Sequence, residues 1–344
     1  MSSQICIIGG GGYFGQHIAE QLQKNGHHTV LLDITFTDVP LVKLEETQTT
    51  RYVGSFLNQD LLSKALQNCE SCYHIAAYGV RGGASLNKKK TYQVNVEGTK
   101  LVVKYCKING VKRLIYTSSV SVIFQDKELV DSDETVPYPP LSKFYSPYSV
   151  TKMIAEQYIL ENDCDDFRTC ALRLRGIYGP GEPNMVKQCI AMLLADTALS
   201  KGRACGQVYN IVDEGPVGSM TFWLPLIQAI GKPYPKIRIP YMIMVYAAHL
   251  SEILYHLFGI EPIFTRLEVN LMAITNTYSI EKAKNDLGYT PVANHDLTKV
   301  VKYYRQTCQT ARHRLPSLQL LNGGSVVVAL FSFLIFLWFL TQWF

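Results

Sequence analysis

Acidic side chains are missing from the end of this chain. No aspartate or glutamate follows Asp296, whereas Lys299, Lys302, Arg305, Arg312 and Arg314 do. Charge of either sign is absent from "VVVALFSFLIFLWFLTQWF", residues 326–344. At 1.5 Å per residue this stretch makes roughly 28 Å of helix, close to the hydrocarbon thickness of a bilayer. So long an uncharged run argues against a buried core helix, and Trp338 and Trp343 suit a membrane–water interface. The expectation is a single-pass transmembrane anchor over 326–344 behind a basic linker over 311–325. Positive flanks stay on the cytosolic side, so the globular part is expected to face the cytosol. Membrane lipid is the expected partner of the basic residues. Nucleic acid is not, because no platform of aromatic and basic side chains accompanies them.

Other absences narrow the class. The amino-terminal "MSSQICIIGG" has too short an apolar run for a secretory signal. Nine cysteines, odd in number and scattered, give no disulfide framework and read as reduced thiols. Cys69 and Cys72 form a lone C-x-x-C with no second pair and no histidine cluster, so no metal is expected. Internal repeats and low-complexity segments are absent before the tail. What remains is 344 residues, 47% hydrophobic, enough for one large α/β domain or two intertwined lobes.

The first half alternates short apolar runs with helical patterns. "QICIIGG", "HHTVLLD", "TRYVGS", "SCYHIAA", "KRLIYTSS" and "RTCALRL" read as strands, with helices such as 94–109 and 150–162 between them. Such alternation predicts a doubly wound parallel sheet covered on both faces, a Rossmann-type α/β fold. The expected domains are a cofactor-binding lobe over 1–180, rejoined by a strand at 206–213, and a mostly helical substrate lobe over 181–310.

Between the first strand and helix, "GGGGYFG" sets Gly9, Gly12 and Gly15 three residues apart. Glycines there let the backbone turn tightly and approach a pyrophosphate, while the helix N-terminus offers free N–H groups. Asp33 ends the next strand, eighteen residues past Gly15. A carboxylate at that position accepts from a ribose diol and repels a 2′-phosphate, which favours NAD over NADP.

"KFYSPYSVTK" places Lys152 four residues after Tyr148, on one face of a helix begun at Pro147. A phenol is a poor acid–base group at neutral pH, and a nearby ammonium is expected to lower its pKa. Tyr148 is therefore the candidate proton acceptor for an alcohol losing hydride to NAD, with Lys152 also holding the nicotinamide ribose. "LIYTSSVSVIF" offers Thr117, Ser118, Ser119 and Ser121 to orient the substrate oxygen. Ser119 is preferred because it stands where its strand ends. Tyr145 has no lysine four residues on and reads as a packed or hydrogen-bonded loop tyrosine.

These motifs, with "HIAA" at 74–77, "VNVEGT" at 94–99, "YTSSVSV" at 116–122 and "GIYGPGE" at 176–182, resemble the extended short-chain dehydrogenases. "GGGGYFG", "DETVPY" and "YSIEKAKNDLGY" narrow the resemblance to the 3β-hydroxysteroid dehydrogenase branch, nearest to family 42E members. It covers nearly the whole chain. The resemblance implies a catalytic Ser119, Tyr148 and Lys152, and an NAD site at Gly9, Gly12, Tyr13, Phe14, Gly15, Asp33, Ala76, Ala77, Tyr148 and Lys152. It implies a steroid or sterol substrate and residence in the endoplasmic reticulum, and a homodimer is compatible with it.

Three departures stand out. Ser55 replaces a usual aspartate near adenine, and Leu174 then Arg175 replace a usual proline near the nicotinamide. Only Pro183 separates Glu182 from Asn184, where the family carries a helix and a strand-bearing segment of the substrate lobe. The competing expectations are a short form that binds NAD without turnover, and a sugar-nucleotide epimerase or reductase. "PYMIMVYAAHLSEILYHLFG", 240–259, is nearly membrane-like and reads either as a packed substrate-lobe helix or as a segment lying on the bilayer.

Overall fold

Continuous aliphatic runs become strands buried on both faces. The computed structural model describes residues 3–176, 183–234, 238–291 and 297–314. Its strands are β1 (Gln4–Ile8), β2 (His28–Asp33), β3 (Thr49–Val53), β4 (Ser71–His74), β5 (Arg113–Ser119), β6 (Leu129–Ser132), β7 (Arg168–Leu174), β8 (Gln207–Ile211) and β9 (Asn276–Tyr278). Seven of them form one sheet in the order β3-β2-β1-β4-β5-β7-β8, every neighbouring pair parallel. Side chains alternate across it. Ile5 and Ile7 enter one core with Ile18, Leu172 and Met192, while Cys6 and Ile8 enter the other with Leu62, Val102 and Ile159. This is the doubly wound parallel sheet expected from the strand–helix alternation, and the 206–213 run supplies its edge strand β8.

The helices are α1 (Tyr13–Lys24), α2 (Gln59–Leu66), α3 (Lys88–Tyr92), α4 (Gly98–Ile108), α5 (Pro147–Glu161), α6 (Pro183–Ser200), α7 (Ser219–Ala229), α8 (Tyr241–Phe258), α9 (Arg266–Ala273), α10 (Glu281–Leu287) and α11 (Thr298–Arg314). The expected helix 94–109 starts earlier and is not uniform, because a π-helical turn, Gln93–Glu97, joins α3 to α4. α6 packs on α1, β5, β7 and α10, so it covers the cofactor sheet although the boundary at 181 assigned it to the substrate lobe. Conversely β6, from the first half, pairs with β9 from the second and ties the two lobes together. Cys69 and Cys72 are buried free thiols.

α11 continues to Arg314, so the basic linker expected at 311–325 begins as helix. Among the described residues no helix is long and apolar enough to cross a membrane. The expected anchor over 326–344 lies outside them, as does most of the junction around Glu182.

Candidate active site

Strand order reverses between β1 and β4, and open parallel sheets bind ligands at the carboxyl ends of strands at such a point. A cleft of about 2280 Å³ lies there, lined from Gly9 to Tyr304 by residues of both lobes. Single small-ligand pockets hold roughly 300–1,000 Å³, so this cleft has room for a dinucleotide and a second ligand together.

The cradle is built from contacts that a side chain would destroy. Gly9 has φ of 98°, and a Cβ there would stand 2.8 Å from the Ala76 nitrogen. A Cβ on Gly15 would run into the Gly9 carbonyl oxygen, so Gly15 lets α1 sit tightly on the β1 turn. Gly12 differs: its nearest neighbour would be 3.7 Å away, leaving open space where a pyrophosphate approaches. Gly12 caps α1 without a side-chain bond and no acidic residue occupies the first turn, so the positive helix end is left to a ligand. Tyr13 and Phe14 line the cleft beside it, Phe14 being also part of the core, and Ala76 and Ala77 line it too, Ala76 lying against Gly9.

Asp33 is more constrained than its sequence position suggests. Its Oδ2 accepts from the Gly11 N–H at 3.0 Å and its Oδ1 from the Ile34 N–H at 2.7 Å. The carboxylate is thereby fixed at the cleft wall with lone pairs to spare for a ribose diol. Ser55 lines the cleft nearby and accepts from the Leu57 N–H. Cradle and carboxylate together fit an unphosphorylated dinucleotide, and the cofactor is NAD.

Ser119, Tyr148 and Lys152 all line the same cleft. Ser119 ends β5 and hydrogen-bonds Ser121 Oγ at 3.0 Å, whereas Thr117 and Ser118 hydroxyls are buried. Burial pushes the Tyr148 phenol up to about 12, and a hydrogen bond with Ser119 works against that rise. The net shift is opposite to the lowering expected from Lys152. The Lys152 ammonium, 2% exposed, donates instead to the Thr117 carbonyl and lies 4.2 Å from the Tyr116 ring centroid. Burial brings its own pKa down to about 7, with the Glu156 charge one turn further along α5 opposing.

Several supporting residues were not singled out from sequence. Asn95, on the π turn, exchanges hydrogen bonds with the Tyr78 backbone and donates to Thr151 Oγ1 at 3.0 Å, pinning α5 one residue before Lys152. Arg173, 1% exposed, pairs with Glu156 at 2.7 Å, and Tyr138 also donates to Glu156. Arg175 lines the cleft but is tied to the Asn276 carbonyl at 2.9 Å, bracing β7 on β9. Tyr145 donates to Asp126 at 2.7 Å and accepts from Asn270 at 3.1 Å, a loop tyrosine held by hydrogen bonds. The "VNVEGT" run was the available signal for Asn95; no local pattern marks Arg173 and Glu156 as partners.

Comparison with known proteins agrees with this geometry. Short-chain dehydrogenase/reductase family 42E member 1 of Homo sapiens is 34% identical over 351 residues, spanning 88% of this chain and 87% of its own. The 3beta-hydroxysteroid dehydrogenase/Delta(5)-Delta(4) isomerase 1 of Caenorhabditis elegans is 33% identical, covering 76% of this chain and 62% of its own. The fold matches a UDP-glucose 4-epimerase of Thermotoga maritima with a TM-score of 0.67 at 18% identity, over 88% of this chain and 99% of that one. Residues 6–199 match the model of the 3-beta hydroxysteroid dehydrogenase/isomerase family, and with these identities the chain belongs to that family.

Proposed function

We propose that this NAD-dependent oxidoreductase oxidises the 3β-hydroxyl of a steroid or sterol to a ketone while anchored to a membrane, the endoplasmic reticulum being favoured, through residues 326–344. One observation carries the reading: Ser119, Tyr148 and Lys152 share a cleft that runs from the phosphate cradle to apolar side chains of the second lobe, among them Phe222, Trp223, Leu267 and Met272. Family membership supports the substrate class.

NAD, when bound, supplies the hydride acceptor for the carbinol carbon. Gly9, Gly12 and Gly15 hold its phosphates, and Asp33 its adenosine ribose. Ser119 Oγ orients the substrate hydroxyl, and Tyr148 Oη takes its proton as the C–O bond becomes a carbonyl. A charged Lys152 favours the phenolate form of Tyr148 and holds the nicotinamide ribose. The test is steroid-dependent NADH formation by the full chain. Tyr148→Phe is expected to lower kcat roughly 10²–10⁴-fold with NADH binding retained; full activity in that variant would sink the mechanism.

A second reading rests on chain length. The alignment to the human relative runs over 351 positions yet takes in only 88% of this 344-residue chain, so it includes positions with no counterpart here. If those positions wall the substrate pocket, this chain binds NAD without turnover. NADH binding with no product from any 3β-hydroxysteroid would favour that reading.

A further inference from the structure

A buried ammonium stands in the site without a counter-ion of its own. Lys152 is 2% exposed, and among the described residues it forms no ion pair. The carboxylate one turn further along α5, Glu156, is taken by Arg173 at 2.7 Å and accepts from Tyr138 as well. Tyr148, on the same helix, is a phenol that burial pushes up to about 12, so it is neutral at ordinary pH. His74 of β4, whose charge would oppose that of Lys152, is kept neutral by burial, which pushes it down to about 3. An ammonium has three donors, and Lys152 spends one on the Thr117 carbonyl.

The remaining support is aromatic. Side chains alternate along β5, so Leu114 and Tyr116 enter the core that holds Ala155 and Ile159 of α5, while Ile115 enters the other. This alternation brings the Tyr116 ring against Lys152, with Nζ 4.2 Å from the ring centroid. The electron-rich face of a ring attracts a cation within about 6 Å, and most strongly where water is excluded. Water is excluded here, since Tyr116 is 1% exposed. Its hydroxyl has no hydrogen-bond partner. The Thr99 hydroxyl beside it is already engaged by His74 Nε2 at 2.9 Å and donates to the Asn95 carbonyl at 2.7 Å. A buried hydroxyl without a partner costs stability, so what Tyr116 contributes to the site is its ring face.

We propose that Tyr116 is a positioning residue: the face of its ring keeps the Lys152 ammonium charged inside the fold, and so sets how much of the Tyr148–Lys152 pair stands ready to take a proton. This deepens the proposed mechanism and rests on it for the effect on turnover. Charged Lys152 with phenolate Tyr148 differs from neutral Lys152 with the phenol only in where one proton sits. An interaction that favours the ammonium shifts that balance towards the active form, by the same factor by which it delays loss of the proton. A desolvated contact between cation and ring is worth roughly tenfold or more. Its loss should slow kcat/KM about tenfold on the plateau above about pH 7 and start that plateau about one unit lower. At acid pH, where Lys152 is charged with or without the ring, the rates should coincide.

The full chain, with carbon-13 at Cε of its lysines, is titrated by NMR in detergent micelles without steroid. Lys152 is the resonance lost in Lys152→Met. Tyr116→Phe is the reference, and phenylalanine carrying one, two or three ring fluorines is then placed at position 116. Fluorine drains the ring face of electrons while its shape stays nearly the same. The Lys152 midpoint should fall step by step with fluorine number, by roughly one unit in all. A midpoint that stays put along the series would overturn the proposal, even if Tyr116→Leu lowers it, because packing alone would then explain the leucine result. With steroid present, kcat/KM of the fluorinated proteins should lose on the plateau what the midpoint loses, and match the reference at acid pH. A midpoint that moves without that change would overturn the positioning role. The titration needs no product, so an absence of steroid turnover would sink the mechanism and leave the contact between ring and ammonium standing.

Discussion

At the scale of residues, the site depends on two groups that burial moves away from neutral-pH chemistry. Tyr148 is pushed up to about 12, so only a small fraction is phenolate at neutral pH without further positive charge. The active pair, charged Lys152 with phenolate Tyr148, carries the same number of protons as neutral Lys152 with the phenol. Alcohol oxidation should therefore rise towards tenfold in kcat/KM per unit up to about pH 7 and level off above it; a profile flat from pH 5 to 7 would exclude Tyr148 as the base. Lys152 is brought down from its ordinary 10.5 to about 7. Between those values the unfolded chain holds a proton that the folded chain lacks, so Lys152 makes stability rise with pH, by about 1 kcal/mol per unit. Chemical denaturation at several pH values should show Lys152→Met with a shallower slope than the parent between pH 7 and 10. Parallel slopes would mean that the ammonium stays charged in the fold.

At the scale of elements, the cradle and the α5–β7 contact fail in different ways. A Cβ at Gly15 collides with the Gly9 carbonyl and Gly10 Cα, both backbone atoms, so the turn itself must shift. Gly15→Ala should weaken NADH binding at least tenfold by calorimetry, whereas Gly12→Ala, with its open surroundings, should disturb the fold less and act through the ligand. The buried Arg173–Glu156 pair fixes α5 against β7 behind the site. Removing one partner leaves an uncompensated buried charge, so Arg173→Met and Glu156→Leu should each cost about 3–5 kcal/mol, and the double variant less than either. Additive losses in a double-mutant cycle would show that the pair does not act as a unit.

At the scale of the molecule, one cleft links both lobes, and ligand binding should stabilise the whole. A ligand that binds only the folded state raises stability by about 2.7 kcal/mol at a hundredfold excess over Kd. NADH should raise the unfolding temperature and NADPH much less, because a carboxylate at the end of β2 would repel a 2′-phosphate bound beside it. Equal shifts would remove Asp33 from cofactor choice, and no shift with either would support neither reading of function.

The sequence by itself determined the parallel sheet, since runs such as "QICII" must be buried on both faces and each is followed by a helical period. It also determined the cradle and the Tyr148–Lys152 pair, because glycine spacing and an i, i+4 interval are local quantities. Only tertiary structure decided what those groups feel. The Lys152 ammonium meets a carbonyl of β5, Asp33 is clamped by Gly11, α6 returns to the first sheet, and β6 finds β9 across more than a hundred residues. Such contacts join segments far apart in the chain. Burial then sets the sign of each pKa shift, and burial belongs to the packed molecule rather than to any local pattern.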